Sequence, residues 1–257
     1  MIDPPADTAW YVFGVAEDDP GLARLDGVEL IRHGALAAVA QEVSPHECDE
    51  EVPPERLDDH EWLEREVQVR EDVLLAAATA TAVVPLRFGT IYRSREHVER
   101  MLEERSNELS ETLDRIRGHV ELGVRAWVDL TALERTFGAE GEPAVGGAGA
   151  AYLRQRRLER ELTARCLQLA EEAHGRLALV AAAAVANRPQ PRELTGRSDT
   201  MVLNGAYLVP YGDERLPGVV ASLEQAQAPL GVEYEVTGPR PPRNFCGRAG
   251  VRVRGAF

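Results

Sequence analysis

Lysine is absent from this 257-residue sequence, so all 29 residues counted as lysine or arginine are arginines. Cysteine is also scarce, because Cys48, Cys166 and Cys246 are the only three and no two of them form a CxxC pair. An odd number of widely separated cysteines argues against both a disulfide framework and a zinc ribbon. We therefore expect reduced thiols.

An excess of positive charge is missing as well. The formal net charge is −14 and the sequence pI is about 5.0, whereas a nucleic-acid-binding protein needs a basic face. Long apolar runs are also lacking, since the longest, LALVAAAAVA at 177–186, falls well short of the roughly 20 residues of a membrane span. No basic and apolar leader opens the sequence. We therefore expect a soluble, cytoplasmic protein with no nucleic-acid or membrane partner.

Sequence signatures of enzymes and cofactor sites are not found. The stretch VGGAGAAY at 145–152 places glycines before a helix, but it lacks the P-loop lysine and completes no GxGxxG pattern. No GxSxG nucleophile elbow occurs. His46, Cys48 and His60 share an acidic region, yet their separations match no compact zinc pattern. We expect no catalytic residue, no metal and no cofactor.

The first half of the chain predicts strands that alternate with helices. AWYVFGVA reads as a strand, and VELIRHGALAAVAQEV as a hairpin that turns at His33-Gly34. Residues 44–60 are acidic and rich in proline, which indicates an irregular connection. A helix is predicted over about 61–79. Its inward positions would be Trp62, Val69, Val73 and Ala77.

The next stretch, TAVVPLRFGTIYRS at 81–94, predicts a strand that ends near Tyr92, and Ser94 is a suitable N-cap with Glu96 in the first turn. The helix that follows repeats apolar residues on one face and stops at Gly118. Its inward positions would be Val98, Leu102, Leu109, Leu113 and Ile116. VELGVRAWVDL then alternates with a period of two, which predicts a half-buried strand that exposes Glu121, Arg125 and Asp129.

This order of elements predicts an α+β fold with two domains. The first, residues 1–133, would be a ferredoxin-like antiparallel sheet with helices on one face. Residues 134–148 are rich in glycine, alanine and proline and would form a linker. A smaller α+β domain at 149–246 would begin with a long helix over about 149–173, and 247–257 would be an arginine-rich tail.

Within the second domain, the long helix would turn Ala151, Leu158, Leu162, Leu169 and Ala173 inward and carry a charged outer face in RQRRLERE. TMVLNGAYLVPYG and VEYEV predict strands, and DERLPGVVASLEQAQ a short helix between them. Residues 177–186 are compatible with either helix or strand, and we favour strand.

Two stretches do not fit a purely structural pattern at first sight. In the first, Arg87 lies among apolar neighbours, and a buried guanidinium needs a carboxylate or several carbonyl groups. Either it is structural, paired with Asp129 or with strand-end carbonyls, or it faces a partner. In the second, GPRPPRNF at 238–245, three prolines fix an extended path, which suits a stiff packed tail or a docking strip equally.

Five stretches occur together in the order found in one known family. They are WYVFGV, VVPLRFGTIYRS, ELGVRAWVD, LNGAYLVP and TGPRPPRNF, and they extend over nearly the whole chain. In this, the sequence resembles the gas vesicle protein F/L family (GvpF/GvpL), accessory proteins of the gas-filled protein organelles of buoyant microbes. The family's typical ending resembles GPWPPYSF, and this chain has Arg240, Arg243 and Asn244 in place of the Trp, Tyr and Ser.

The resemblance implies a non-enzymatic minor component of gas vesicles that assists nucleation and assembly of the shell. Its partners would be the hydrophobic major shell protein, whose aggregation it would limit, and other gas vesicle accessory proteins. It would lie at the gas vesicle, and in the cytoplasm before assembly. The motif residues that would bind a partner or define the family are Pro85, Arg87, Phe88, Gly89, Asn204, Tyr207, Gly238, Pro239, Pro241, Pro242 and Phe245.

The alternative is a protein of another class, a small-ligand-binding or catalytic ferredoxin-like protein of unknown substrate, because folds of this shape host many activities. A deep pocket lined by convergent polar groups would favour that alternative.

Overall fold

The computed structural model of the chain describes residues 8–44, 60–138 and 148–247. The chain divides into two units, each packed mainly within itself: Met1–Val120 together with Arg240–Phe257, and Glu121–Pro239. It therefore enters the second unit at residue 121 and returns to the first at residue 240, whereas the sequence placed the domain bounds near 133 and 149. The two predicted domains, as stretches that fold independently, stay a prediction.

The first unit contains an antiparallel sheet whose middle strand is the first in the chain. Its strands are β1 (Ala9–Glu17), β2 (Glu29–His33), β3 (Leu36–Val43), β4 (Val83–Pro85) and β5 (Ile91–Tyr92). Their order is β2-β3-β1-β4, and β5 also pairs with β1. The predicted hairpin is confirmed as β2 and β3, and Gly34 supplies the positive φ that its tight turn needs.

The first helix covers one face of this sheet. Helix α1 (His60–Ala80) packs Leu74 and Ala77 against Phe13, Ala37 and Val39. The prediction of Val69 as an inward residue is wrong, because half of that side chain is exposed. The buried stripe instead runs through position 70 to positions 73, 74 and 77, which is the i, i+3, i+4, i+7 spacing of one helix face. Residues 45–59 and the side chain of Trp62 lie outside the described part of the chain.

Two shorter helices follow where one was predicted. Helices α2 (Arg95–Glu104) and α3 (Ser106–Ile116) are separated at Arg105, and the Ser94 hydroxyl caps the first by accepting from the amide of His97. All five predicted inward residues of this region are buried. Residues 37–40 of β3 are fully buried in succession, so both faces of the sheet are covered, which extends the predicted one-sided arrangement.

The second unit contains a four-stranded sheet in the order β7-β8-β6-β9. Its strands are β6 (His119–Val128), β7 (Ala183–Ala186), β8 (Thr200–Pro210) and β9 (Val232–Arg240). The prediction that β6 is half-buried is wrong, since Glu121 and Trp127 on the expected polar side are buried as deeply as Val124 and Ala126 on the other. Because a central strand is covered on both faces, the alternation of apolar and polar residues along it does not identify an exposed face.

The helices of the second unit are α4 (Leu130–Gly138), α5 (Ala148–Ala178), α6 (Arg192–Thr195) and α7 (Arg215–Gln227). Helix α5 confirms the predicted long helix and buries Leu169, Ala173 and Leu177, but Ala151 is exposed rather than inward. The ambiguous residues 177–186 divide: the helix continues to Ala178, and β7 begins at Ala183. The α+β class with antiparallel sheets is confirmed. Residues 139–147 of the predicted linker and 248–257 of the tail lie outside the described residues.

Neighbouring leucines of α1 provide a test of this packing. Leu74→Ala removes a fully buried side chain and leaves a cavity, so we expect the free energy of unfolding to fall by about 2–5 kcal/mol. Leu75→Ala alters a side chain that is 39% exposed and should cost roughly 0.5 kcal/mol or less. Urea unfolding followed by circular dichroism measures both, and equal losses would contradict the assigned helix face.

Candidate functional site

The loop between β4 and β5 presents the PLRFG motif at the surface of the first unit. Pro85 is buried at the end of β4, but Arg87, Phe88 and Gly89 are exposed. The carbonyl of Arg87 accepts from both the amide and the hydroxyl of Thr90, at 3.2 and 2.8 Å, and Gly89 has a φ of 76°. The expectation that Arg87 is buried is therefore wrong, because the strand ends at Pro85 and the chain turns outward.

The buried guanidinium near this loop belongs to Arg70 of α1, which sequence reasoning missed. Arg70 is 6% exposed, and its Nη2 donates to the carbonyl of Leu86 at the start of the loop. The loop amide of Gly89 donates to the hydroxyl of Tyr11 at 3.4 Å. Burial lowers the pKa of Arg70, and the neighbouring Tyr11 opposes that shift. The 3.6-residue period of α1 could have found Arg70, since it precedes Leu74 by four positions.

The C-terminal strip GPRPPRNF packs into the first unit from Arg240 onward. Pro241, Pro242 and Phe245 are buried, and the carbonyl of Phe245 accepts from Nη2 of Arg115 in α3 at 3.1 Å. Arg243 forms an ion pair with Glu71, the residue next to Arg70 in α1. The strip therefore makes its contacts within its own chain, as the packed-tail interpretation expects.

The structure thus brings two of the sequence motifs to one place. Consecutive residues of α1, Arg70 and Glu71, hold the 86–90 loop and the C-terminal strip. Gly238 and Pro239 are joined by a cis peptide bond and are exposed. They belong to the second unit, which also contains Asn204 and Tyr207.

The NGAY motif of β8 forms a buried contact within the second unit. The ring of Tyr207 lies against Gly205, where an added Cβ would sit 2.5 Å from ring atoms. The Tyr207 hydroxyl shares a hydrogen bond with Nδ1 of His174 at 2.9 Å, and burial raises its pKa above the ordinary tyrosine range. Nδ2 of Asn204 donates to the carbonyl of Arg188 at 3.2 Å. These contacts hold β8 in place and leave the hydroxyl protonated at neutral pH.

One edge strand of the second unit, β7, carries neither a charged residue nor a proline. Natural edge strands are protected against pairing with another chain by charge, by proline or by short length, and β7, with 4 residues, has only the last. The other outer strands carry such residues: Glu29 and Arg32 on β2, Pro85 on β4, and Glu233, Glu235 and Pro239 on β9. Strand β7 consists only of alanine and valine. Within the described ranges, no strand pairs with its outer side.

The outward backbone groups of β7 can be assigned from its pairing with β8. Ala183 lies opposite Leu208, and the amide of Asn187 donates to the carbonyl of Asn204. Hydrogen-bonded positions alternate along an antiparallel strand, so Ala184 and Ala186 direct their N–H and C=O groups away from β8. Leu179, 86% exposed, and Tyr211, 76% exposed, flank the Ala183–Leu208 end of this edge in sequence. We call β7 with Leu179 and Tyr211 the β7 edge.

Neither a metal site nor a membrane-spanning helix is found among the described residues. They contain no cluster of three or more His, Cys, Asp or Glu side chains that could hold a metal ion. No helix in the same ranges is long and apolar enough to cross a membrane. His46, Cys48 and the side chain of His60 lie outside the described part of the chain.

A comparison with family models decides where the chain belongs. The model of the gas vesicle synthesis protein GvpL/GvpF matches residues 9–247, which is nearly the whole sequence. The chain belongs to the GvpL/GvpF family.

Individual GvpL/GvpF relatives agree with this. The chain is 34% identical over 227 residues to gas vesicle protein L of Streptomyces sp. (strain CB03234), covering 86% of this chain and 83% of that protein. It is 28% identical to gas vesicle protein F of the same strain, with coverage of 91% and 98%. The crystal structure of GvpF from Anabaena sp. PCC7120 superposes with a TM-score of 0.72 at 18% identity, covering 93% of this chain and 96% of that chain. That likeness shows the shared fold.

Two glycine-to-alanine substitutions in this GvpL/GvpF chain, one of them in the NGAY motif, should change the free energy of unfolding in opposite directions. Gly205→Ala places a methyl group against the Tyr207 ring and should lower the free energy of unfolding by about 1–3 kcal/mol. Gly218→Ala makes the same change in α7, where nothing lies within 4 Å, and should raise stability by roughly 0.5–1 kcal/mol. Thermal unfolding of both variants measures the difference. A Gly205→Ala variant as stable as the wild type would contradict the contact.

Tyr92 predicts a specific alkaline sensitivity. Burial raises its pKa to about 12, so between pH 10 and 12 the unfolded chain loses this proton while the folded chain keeps it. The contribution of Tyr92 to the free energy of unfolding is therefore fully present below pH 10. It falls between pH 10 and 12 by up to ~1.4 kcal/mol per pH unit. Its hydroxyl has no hydrogen-bond partner among the described residues. Tyr92→Phe should thus leave stability at pH 7 nearly unchanged and reduce the loss between pH 10 and 12.

Urea unfolding at pH 7, 10, 11 and 12 measures this dependence, with Tyr211→Phe as the control because its side chain is exposed. The control should retain the wild-type loss. If Tyr92→Phe retained it as well, the assignment of Tyr92 would be wrong.

Proposed function

We propose that this protein is a non-enzymatic assembly factor of gas vesicles, which binds the hydrophobic major shell protein and limits its aggregation before the shell forms. Membership of the GvpL/GvpF family supports a gas-vesicle-related role. The finer proposal is supported by one structural observation, the β7 edge, whose strand carries no charge and no proline. The protein acts in the cytoplasm before assembly and remains associated with the gas vesicle.

The chemistry of the β7 edge suits an uncharged, extended partner segment. Strand addition supplies main-chain hydrogen bonds, here from Ala184 and Ala186, while side-chain contacts select the partner. The strand carries no charge that an apolar segment would have to desolvate. Leu179 and Tyr211 add exposed apolar surface beside it.

Aggregation of a shell protein has the same physical origin as its assembly. A subunit with exposed apolar surface and unpaired strand edges associates with any similar neighbour. A soluble chain that occupies one such edge delays association until a nucleus is present. The net charge of −14 keeps the resulting complex dispersed, because like-charged particles repel one another.

The exposed PLRFG loop provides a second surface for gas vesicle partners. Arg87 and Phe88 are exposed on a loop whose base contacts Arg70, so a cation and an aromatic ring follow one another at the surface. Other gas vesicle accessory proteins are the proposed partners of this loop.

Co-expression with the major shell protein tests the proposal. The soluble fraction of the shell protein, measured by ultracentrifugation and size fractionation, should rise several-fold when the wild-type chain is present. The double variant Ala183→Glu/Ala186→Glu adds two charges to the β7 edge and should abolish most of that rise. The control Ala164→Glu/Ala221→Glu changes two exposed alanines on helices of the same unit and gives the same net charge.

The control variant should protect the shell protein as well as the wild type does. Equal loss in both double variants would remove the β7 edge from the proposal. A shell protein that is equally soluble with and without the wild-type chain would contradict the proposed function itself.

A further inference from the structure

One side of the long helix α5 exposes large apolar side chains together with arginines. Tyr152, Leu153 and Leu167 are 61%, 68% and 59% exposed. Arg156 and Arg160 lie between them along the helix and are exposed as well. At 3.6 residues per turn, these five positions fall within about 100° of one another around the helix axis. We call these five residues the α5 face.

The α5 face is separate from the side by which α5 packs into its unit. Leu158, Leu162 and Leu169 turn to the opposite side, where Leu169 is buried and the other two are half-buried. Residues 151–157, by contrast, are exposed on every side, so about two turns of helix extend beyond the packed part. The packed part supplies the nucleus from which these turns continue. A partner therefore meets a helix that is already formed.

The arginines give this part of α5 a charge opposite to that of the whole chain. Residues 151–167 contain five arginines and two glutamates, a net charge of +3, whereas the chain carries −14. Arg156 pairs with Glu159 at 3.2 Å, and an exposed pair of this kind contributes little net free energy. Arg160 has no hydrogen-bond or ion-pair partner among the described residues. Both cations are thus available to carboxylates of another molecule.

We propose that the α5 face binds an amphipathic helix of a partner protein whose apolar stripe is flanked by Asp or Glu side chains. Tyr152 and the two leucines supply the apolar contact, which explains why such large side chains are left exposed. Arg156 and Arg160 pair with the flanking carboxylates, as charged residues beside a helix-helix contact select their partner.

A second copy of this chain is a poorer occupant of the α5 face. It would bring the same two arginines into the contact, and like charges would meet there. The inference goes beyond the proposed assembly function and is independent of the β7 edge, because the two surfaces share no residue.

Fluorescence anisotropy of a labelled peptide titrated with the full chain tests the α5 face. The probe is a three-heptad helix with leucine at the core positions and glutamate at the flanking positions, and its matched control carries lysine in place of every glutamate. The acidic peptide should bind with a micromolar Kd that rises with the concentration of sodium chloride. The lysine peptide should show no saturable binding.

Three variants of the chain sharpen this test. Arg160→Glu reverses the unpaired charge, so it should weaken binding of the acidic peptide about tenfold and strengthen binding of the lysine peptide. A damaged fold cannot produce the second effect. Arg100→Glu makes the same change of charge at an exposed position of α2 and should bind like the wild type. Leu153→Gln should weaken binding of the acidic peptide about fivefold and leave the free energy of unfolding nearly unchanged.

Absence of binding by the acidic peptide, equal binding of the two peptides, or unchanged binding in Arg160→Glu would overturn the proposal. Analytical ultracentrifugation of the chain alone examines the other protein occupant, since a dimer that Leu153→Gln dissociates would assign the α5 face to a second copy instead. Binding to phosphatidylglycerol vesicles that Arg160→Glu abolishes, without binding of the acidic peptide, would assign it to a lipid surface and equally overturn the proposal.

Discussion

The charge of Arg70 in the interior of the first unit is the constraint on which the placement of the PLRFG loop depends. A guanidinium that is 6% exposed must be satisfied within the protein or by a ligand, and here the carbonyl of Leu86 and the neighbouring Tyr11 supply part of that requirement. The same contact fixes the base of the PLRFG loop. The adjacent Glu71 fixes the C-terminal strip through Arg243. One turn of α1 therefore positions two stretches that lie far apart in the sequence.

The sequence predicted the elements whose pattern repeats locally and missed the features that depend on neighbours in space. Alternation and turn signals located the β2–β3 hairpin, and all five residues that the apolar period placed inward in α2 and α3 are buried. The same reasoning placed Arg87 in the interior because its sequence neighbours are apolar, although Pro85 and Gly89 mark the turn that exposes it. Glu121 was assigned to solvent because alternation cannot reveal that β6 is central in its sheet.

The candidate site could be predicted only in part for the same reason. The motifs PLRFG and GPRPPRNF were recognisable, but nothing in their sequence spacing indicates that both contact α1. The β7 edge was also hidden, since the sequence favoured a strand within residues 177–186 but only the sheet order shows that Ala183–Ala186 is an outer strand. Edge position is a property of the whole sheet, and a short alanine-rich segment contains no sign of it.

The return of the chain to the first unit has a consequence for biosynthesis. Residues 121–239 leave the ribosome before Arg240, so the second unit has its complete sequence while the first still lacks the strip that pairs with Glu71 and Arg115. The unit that begins first is thus finished last. A nascent chain that ended before Arg240 would lack the contacts that the strip makes with Glu71 and Arg115 in the first unit.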